Sequence, residues 1–136
     1  MGNTLKLEIV TPEATVYSED VEMVTLPALE GQIGILPQHV PLMTQIVPGE
    51  MLVRQSGSVR FLAVGEGLVE VTGDRVAILT DMAVAAENID EAMAEEARQQ
   101  AAARLRQKLS AEQVAAVNAA LARSLAQLHV KRRQHK

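Results

Sequence analysis

Few side chains in this 136-residue chain have the type and spacing that chemistry requires. There are three histidines and no cysteine, which removes disulfides, thiolate metal sites and a cysteine nucleophile. His39 has no second His, Asp or Glu at metal-ligand spacing, so it reads as a surface or interface residue. Gly65-Glu66-Gly67 has the glycines of a phosphate cradle but sits in strand-like sequence with no helix behind it. Glu66 and Glu70 share a strand face, as surface carboxylates often do. With no nucleophile–base pair, the chain is expected to catalyse nothing alone and to hold no metal.

What the sequence does offer is charge in patches. Residues 1–88 hold 12 acids against 4 bases, net −8, whereas 89–136 hold 5 acids against 9 bases, net +4. From Arg104 onward, Glu112 is the one acid beside eight bases: Arg104, Arg106, Lys108, Arg123, Lys131, Arg132, Arg133 and Lys136. A net charge of −4 argues against a generic nucleic-acid binder. The basic tail is open to two readings, a solvated helix face or a surface for an acidic partner. The opening MGNTLKLEIV has no long apolar run, and no stretch reaches membrane-helix length, so membrane contact is expected only through partners.

The elements that must position these charges fall into two kinds. Up to about residue 80, apolar residues alternate in short runs, the pattern of strands with one buried face. The runs are Leu5–Ile9, Val21–Leu26, Ile33–Leu36, Leu42–Ile46, Met51–Val53, Val59–Val64, Leu68–Val71 and Val76–Leu79, separated by turns such as Pro48-Gly49 and Gly73-Asp74. Their spacing predicts an antiparallel sandwich or flattened barrel. With one Phe, one Tyr and no Trp, its core must be aliphatic.

At Asn88 the period changes to about 3.6, and neither Pro nor Gly follows. Asn88 with Glu91, and Ser110 with Gln113, have capping-box spacing, predicting helices near 89–109 and 111–130 in an antiparallel hairpin. Val114, Val117, Leu121, Leu125 and Leu128 form one expected stripe, and Ile89, Met93, Ala97, Ala101 and Leu105 the other. Thirteen alanines favour helix while burying little area, which suits a movable element. The domains are therefore set at 1–87 and 88–136.

The segment Gly31-Gln32-Ile33-Gly34-Ile35-Leu36-Pro37-Gln38-His39-Val40-Pro41-Leu42-Met43-Thr44 resembles the signature of the F-type ATP synthase epsilon subunit, called delta in mitochondria. The likeness extends through Val10-Thr11-Pro12, Gly65-Glu66-Gly67-Leu68-Val69-Glu70-Val71, Asn88-Ile89-Asp90-Glu91-Ala92 and Leu125-Ala126-Gln127-Leu128-His129-Val130. The resemblance implies a ten-stranded β-sandwich followed by an αα-hairpin, in a non-catalytic rotor subunit on the cytoplasmic face of a bacterial plasma membrane. It implies c-ring contact through Glu30, Gly31 and Gln32, and gamma contact through Pro37, His39, Val40, Pro41 and Leu42. It also implies a hairpin that opens toward the alpha and beta subunits and inhibits hydrolysis, carried by Arg104, Arg106, Lys108, Arg123, Lys131, Arg132 and Arg133.

Some members of that family bind ATP through Ile/Leu-Asp-x-x-Arg-Ala. Here the motif reads Ile89-Asp90-Glu91-Ala92-Met93-Ala94, with Met93 in the arginine's place. Gln127 also stands where ATP-binding relatives carry arginine, although Arg123 is present. Losing a guanidinium removes the donor best matched to phosphate, so ATP binding is expected to be weak or absent. The alternative to a rotor subunit is a free-standing adaptor or chaperone module, separated by whether the chain captures gamma with alpha and beta.

Overall fold

A computed structural model describes residues 4–134. Ten strands come first: β1 Leu5–Val10, β2 Thr15–Val21, β3 Met23–Ala28, β4 Gly31–Ile35, β5 Leu42–Ile46, β6 Gly49–Gln55, β7 Ser58–Val64, β8 Gly67–Thr72, β9 Arg75–Thr80 and β10 Ala83–Ala85. A 3-10 turn, Ala86–Asn88, leads to helices α1 Glu91–Arg104 and α2 Ala111–Gln134. The expected sandwich and hairpin are both present.

Strand order is β10-β7-β6-β3-β5-β8-β9-β1-β2, with β4 beside β3. The ladders are antiparallel except one, since β1 runs parallel to β9 with Leu7 opposite Val76. The sheet curls until β2 meets β6, where Tyr17 Oη donates to Gln55 Oε1 at 3.1 Å. Gln55 Nε2 in turn donates to Asp20 O at 3.1 Å, so side-chain bonds tie the edge strand β2 to β6 across the curl.

Parity decides what is enclosed. Leu5, Leu7 and Ile9 of β1 are fully buried, as are Val24 and Leu26 of β3, and Val69 and Val71 of β8. With Ile35, Ile46, Met51, Val53 and Ile78 they form one aliphatic core.

Strands β2, β7 and β10 escape the alternation pattern; in β7, Leu62, Ala63 and Val64 are buried in succession, Leu62 and Val64 in the main core and Ala63 in the hairpin's seat. In β2 only Tyr17 and Val21 are buried, while Ser18, Glu19 and Asp20 face water. In β10 the three residues Ala83–Ala85 are all half-buried, because the strand is covered on one side by the hairpin's seat.

The helices differ from expectation at their ends. Asp90, not Asn88, caps α1, accepting from Met93 N at 3.1 Å, because Asn88 is taken up by the 3-10 turn. Helix α1 stops at Arg104, leaving residues 105–110 to reverse the chain through tightened bonds such as Gln107 N to Arg104 O at 3.0 Å. The second capping box does form: Gln113 N donates to Ser110 Oγ at 3.2 Å, and Ser110 N to Gln113 Oε1 at 2.9 Å. Helix α2 runs on to Gln134 because its basic end finds partners, described below.

The two expected stripes are corrected in part. Val117 and Leu128 are buried, but Val114, Leu125 and Leu105 are exposed, and Met93 and Ala97 face water. The buried positions include Ala94 and Ala101 on α1, and Ala126 and Val130 on α2. A single stripe fails because α2 serves two surfaces at once, α1 along one side and the sandwich along another.

Candidate functional site

Three regions collect the residues singled out by sequence. The first is the β3–β4 turn. Gly31 pairs with Ala28 and takes φ +122, a left-handed conformation that disfavours any side chain, so Leu29 and Glu30 are pushed out into solvent. Glu30, Gly31 and Gln32 are all exposed.

The second is the loop between β4 and β5. Gln38 adopts φ +68, an uncommon choice for a non-glycine residue. It is held there by its backbone N–H, which donates to Asp74 Oδ1 at 2.8 Å. His39 N bonds Leu36 O at 3.2 Å, and His39 Nδ1 lies 2.7 Å from Val40 O. With Pro37 and Pro41 fixing φ on either side, the loop is stiff and projects Val40, which is 70 % exposed. Pro37 and His39 are half-buried, Pro41 is exposed, and Leu42 packs against the main core, so Leu42 supports the projection from beneath.

Beside this loop lies a surface the sequence reading missed. Met43, Leu68 and Leu79 are 65 %, 49 % and 56 % exposed on the outward parity of β5, β8 and β9, and Leu68 pairs with Leu79. Leu68 also faces Gln45, one strand over. The available signal was an apolar residue at strand positions whose neighbours on the same chain are already buried, as in Leu68-Val69-Glu70-Val71. Grouped exposed aliphatics of this kind mark an interaction face.

The third region is the seat of the hairpin. Ala126 and Val130 of α2 bury against Ala63, Ala86 and Ile89, with Phe61, Met82 and Val84 at the margin. Around this small patch is a ring of polar contacts. Arg123 Nη1 donates to Asp81 Oδ2 at 3.2 Å. Gln127 Nε2 donates to Met82 Sδ at 3.0 Å, and Lys131 Nζ to Ala86 O at 3.2 Å. Arg132 bridges Glu91 at 3.1 Å and Glu95 at 3.4 Å. Arg133 pairs with Glu50 and lies 5.5 Å over the Phe61 ring.

Glu95 is thus faced by two guanidinium groups. The hydrogen bonds from Arg98 hold its carboxyl at about 2, with Gln99 and Arg132 acting in the same direction. Below the seat, Arg60 bridges Glu87 at 3.1 Å. A hydrogen bond from its own backbone N–H, and then Arg60, lower the Glu87 carboxyl.

The seven cations of the expected basic face therefore divide. Arg123, Lys131, Arg132 and Arg133 are engaged at the root of the hairpin. Arg104, Arg106 and Lys108 stand exposed at its tip, with no ion pair among the described residues. Lys136 lies outside the described residues.

The residues of the ATP motif have structural work of their own. Ile89 is part of the seat, Asp90 caps α1, Ala94 is buried and Arg123 is held by Asp81. Met93, in the place of the motif's arginine, is 68 % exposed. Among the described residues, no helix is long and apolar enough to cross a membrane.

Comparison with known proteins covers both halves of the chain. Residues 4–86 match the family described as the beta-sandwich domain of the ATP synthase Delta/Epsilon chain, and residues 87–132 match its long alpha-helix domain. The ATP synthase epsilon chain of Herpetosiphon aurantiacus is 44 % identical over 126 residues, covering 93 % of each chain. That of Chloroflexus aggregans is 44 % identical over 136 residues, covering 96 % of this chain and 98 % of its own. Among solved structures, a chain of the Euglena gracilis mitochondrial ATP synthase superposes with TM-score 0.73 at 24 % identity, covering 88 % of this chain and 76 % of that one. A chain of the central stalk and c-ring structure from Tetrahymena thermophila superposes with TM-score 0.64 at 11 % identity, covering 97 % and 96 %.

Proposed function

The chain belongs to the ATP synthase delta/epsilon family as an epsilon chain, an accessory subunit that is not catalytic by itself, and from that premise we propose that it is a rotor subunit of the central stalk. In this reading the sandwich grips gamma through the stiff loop Pro37–Leu42 and the apolar face Met43, Leu68 and Leu79. The exposed turn Glu30–Gln32 meets the polar loops of the c-ring. The chain is held at the cytoplasmic face of the membrane through the complex.

The rotor assignment is supported by the rigidity of the contact surfaces. Gln38, held by Asp74, and the two prolines restrict the Pro37–Leu42 loop before any partner arrives, so docking there orders little new chain. A coupling element that transmits torque needs that stiffness.

We further propose that the hairpin is a brake with two states. In one it is seated on the sandwich, as here. In the other α2 leaves the seat and reaches the alpha and beta subunits, where its cations meet acidic protein surface and block rotation. The observation that carries this reading is the composition of the seat: five small or medium buried residues with Phe61, Met82 and Val84 at the margin, a partly exposed pair, Arg123–Asp81, and a second pair, Arg133–Glu50, whose carboxylate is largely covered. Exposed pairs contribute about 0–1 kcal/mol each. Docked and released states then lie within a few kcal/mol, close enough for a partner to shift the population. The root cations serve in both states, so the two sets of contacts exclude each other.

Direct regulation by ATP is not part of this proposal, because Met93 offers phosphate nothing and Arg123 is already spoken for by Asp81. Deleting residues 89–136 is expected to raise ATP hydrolysis by the reconstituted complex while leaving assembly intact. Unchanged hydrolysis would remove the brake and leave the rotor role standing.

A further inference from the structure

The turn Gly65-Glu66-Gly67 packs directly against the segment that follows β9. A β-carbon at Gly65 would fall 1.8 Å from Asp81 Oδ1, so the bare glycine is what lets the Asp81 carboxylate lie across the turn. The backbones of the two segments are clasped together. Asp81 N donates to Glu66 O at 3.0 Å, Gly65 N to Met82 O at 2.9 Å, and Thr80 Oγ1 to Glu66 O at 2.9 Å. The Asp81 main chain is thereby fixed, and only its carboxylate has freedom to turn.

That carboxylate has two neighbourhoods. It holds Arg123 of α2 at 3.2 Å, within one helical turn of Gln127 and its contact with Met82. It also lines a groove of about 400 Å³ with Val10, Thr11, Pro12, Glu66 and Leu79. The groove has apolar walls and two carboxylates, the complement of a polypeptide segment that carries lysine or arginine among apolar residues.

We propose that this groove receives such a cationic segment from a partner chain, and that the incoming cation draws Asp81 away from Arg123 and loosens α2 from the sandwich. The proposal deepens the two-state reading above and rests on it for its biological meaning. Two cations compete for one carboxylate, so what sits on the outer face of the sandwich governs whether the hairpin stays seated. Gly65 is the positioning residue of the device, since it sets where the carboxylate lies without touching either cation.

The test uses the full purified chain and supplies the cation in cis. Leu79 is exposed and lies two residues before Asp81, so Leu79→Lys brings an ammonium group into the groove, and Leu79→Gln is its uncharged control. Hydrogen exchange of the α2 amides around Ser124–Gln127 reads the seat, while the melting temperature reads the sandwich. Leu79→Lys, Asp81→Asn and Gly65→Ala are each expected to raise exchange roughly two- to fivefold, the range set by loss of one exposed ion pair. Leu79→Gln should leave it unchanged.

Exchange in Leu79→Lys equal to that in Leu79→Gln would overturn the coupling of groove to hairpin. Exchange in Asp81→Asn equal to the parent would overturn the lock itself. Neither result depends on the complex: a brake that fails in the deletion experiment leaves these exchange rates as they are.

Discussion

The sandwich and the hairpin are both built from aliphatic residues, yet different forces hold them. In the sandwich, Leu5, Leu7, Ile9, Leu26, Ile35, Ile46 and Ile78 are wholly or almost wholly enclosed. Each such side chain contributes about 1.5–3 kcal/mol through burial. The hairpin's contact with the sandwich rests on Ala63, Ala86, Ile89, Ala126 and Val130, three of which bring only a methyl group. Its remaining hold is polar, distributed over Arg123, Lys131 and Arg133, while Arg132 ties α2 to α1. A body that must transmit force is packed by area, while an arm that must come away is fastened by pairs that water or another protein can replace.

The largest test of that contrast is in the core. Leu7→Ala is expected to cost about 3 kcal/mol and to lower the melting temperature of the whole chain, measured by thermal or denaturant unfolding. A change in the seat should act differently. Val130→Asp removes about 2 kcal/mol of apolar burial and places a carboxylate against Phe61 and Ala63. We expect exchange of the α2 amides to rise strongly while the sandwich melts as before; a matching drop in the sandwich's melting temperature would break the comparison.

The smallest effect is electrostatic. Glu95, ordinarily near 4.5, is held at about 2 by Arg98, with help from Gln99 and Arg132. A carboxyl with a lowered folded-state value lends its support fully above its unfolded value and loses it as pH falls. The hairpin should therefore loosen between about pH 4.5 and 2, before the core does, with helical exchange or a hairpin-specific probe as the readout. Replacing Glu95 by Gln should flatten that acid limb.

Much of this division was legible from alternation and period alone. Strands such as Leu5–Ile9 and Val76–Leu79 announced themselves because every second residue is aliphatic. Strand β2 did not, since its buried residues, Tyr17 and Val21, are four apart with Ser18-Glu19-Asp20 between them. The 3-10 turn at Ala86–Asn88 displaced the helix start to Asp90, a shift of two residues that capping spacing could not separate.

The fastening of the hairpin was the least legible part. Arg123 finds Asp81 from 42 residues away, Arg132 finds Glu91 from 41, and Arg133 finds Glu50 from 83. Local sequence records that the tail is basic but not which acids it meets. The outward leucines, Leu68 and Leu79, were readable in principle as apolar residues on the wrong parity. They became a surface only when β8 was set beside β9.

Helix α2 is one continuous rod of 24 residues, seated only near its C-terminal end. From Ser110 to Ala126 it extends roughly 24 Å beyond the seat's first buried residue, at 1.5 Å per residue. Mechanically it is a lever with its fulcrum at the sandwich and its free, basic tip far out. A sideways pull on that tip is magnified at the root and strains the Arg123 contact first and the Arg133 contact last. The hairpin should peel away from one end, opening like a hinge under torque that would not disturb the sandwich beneath it.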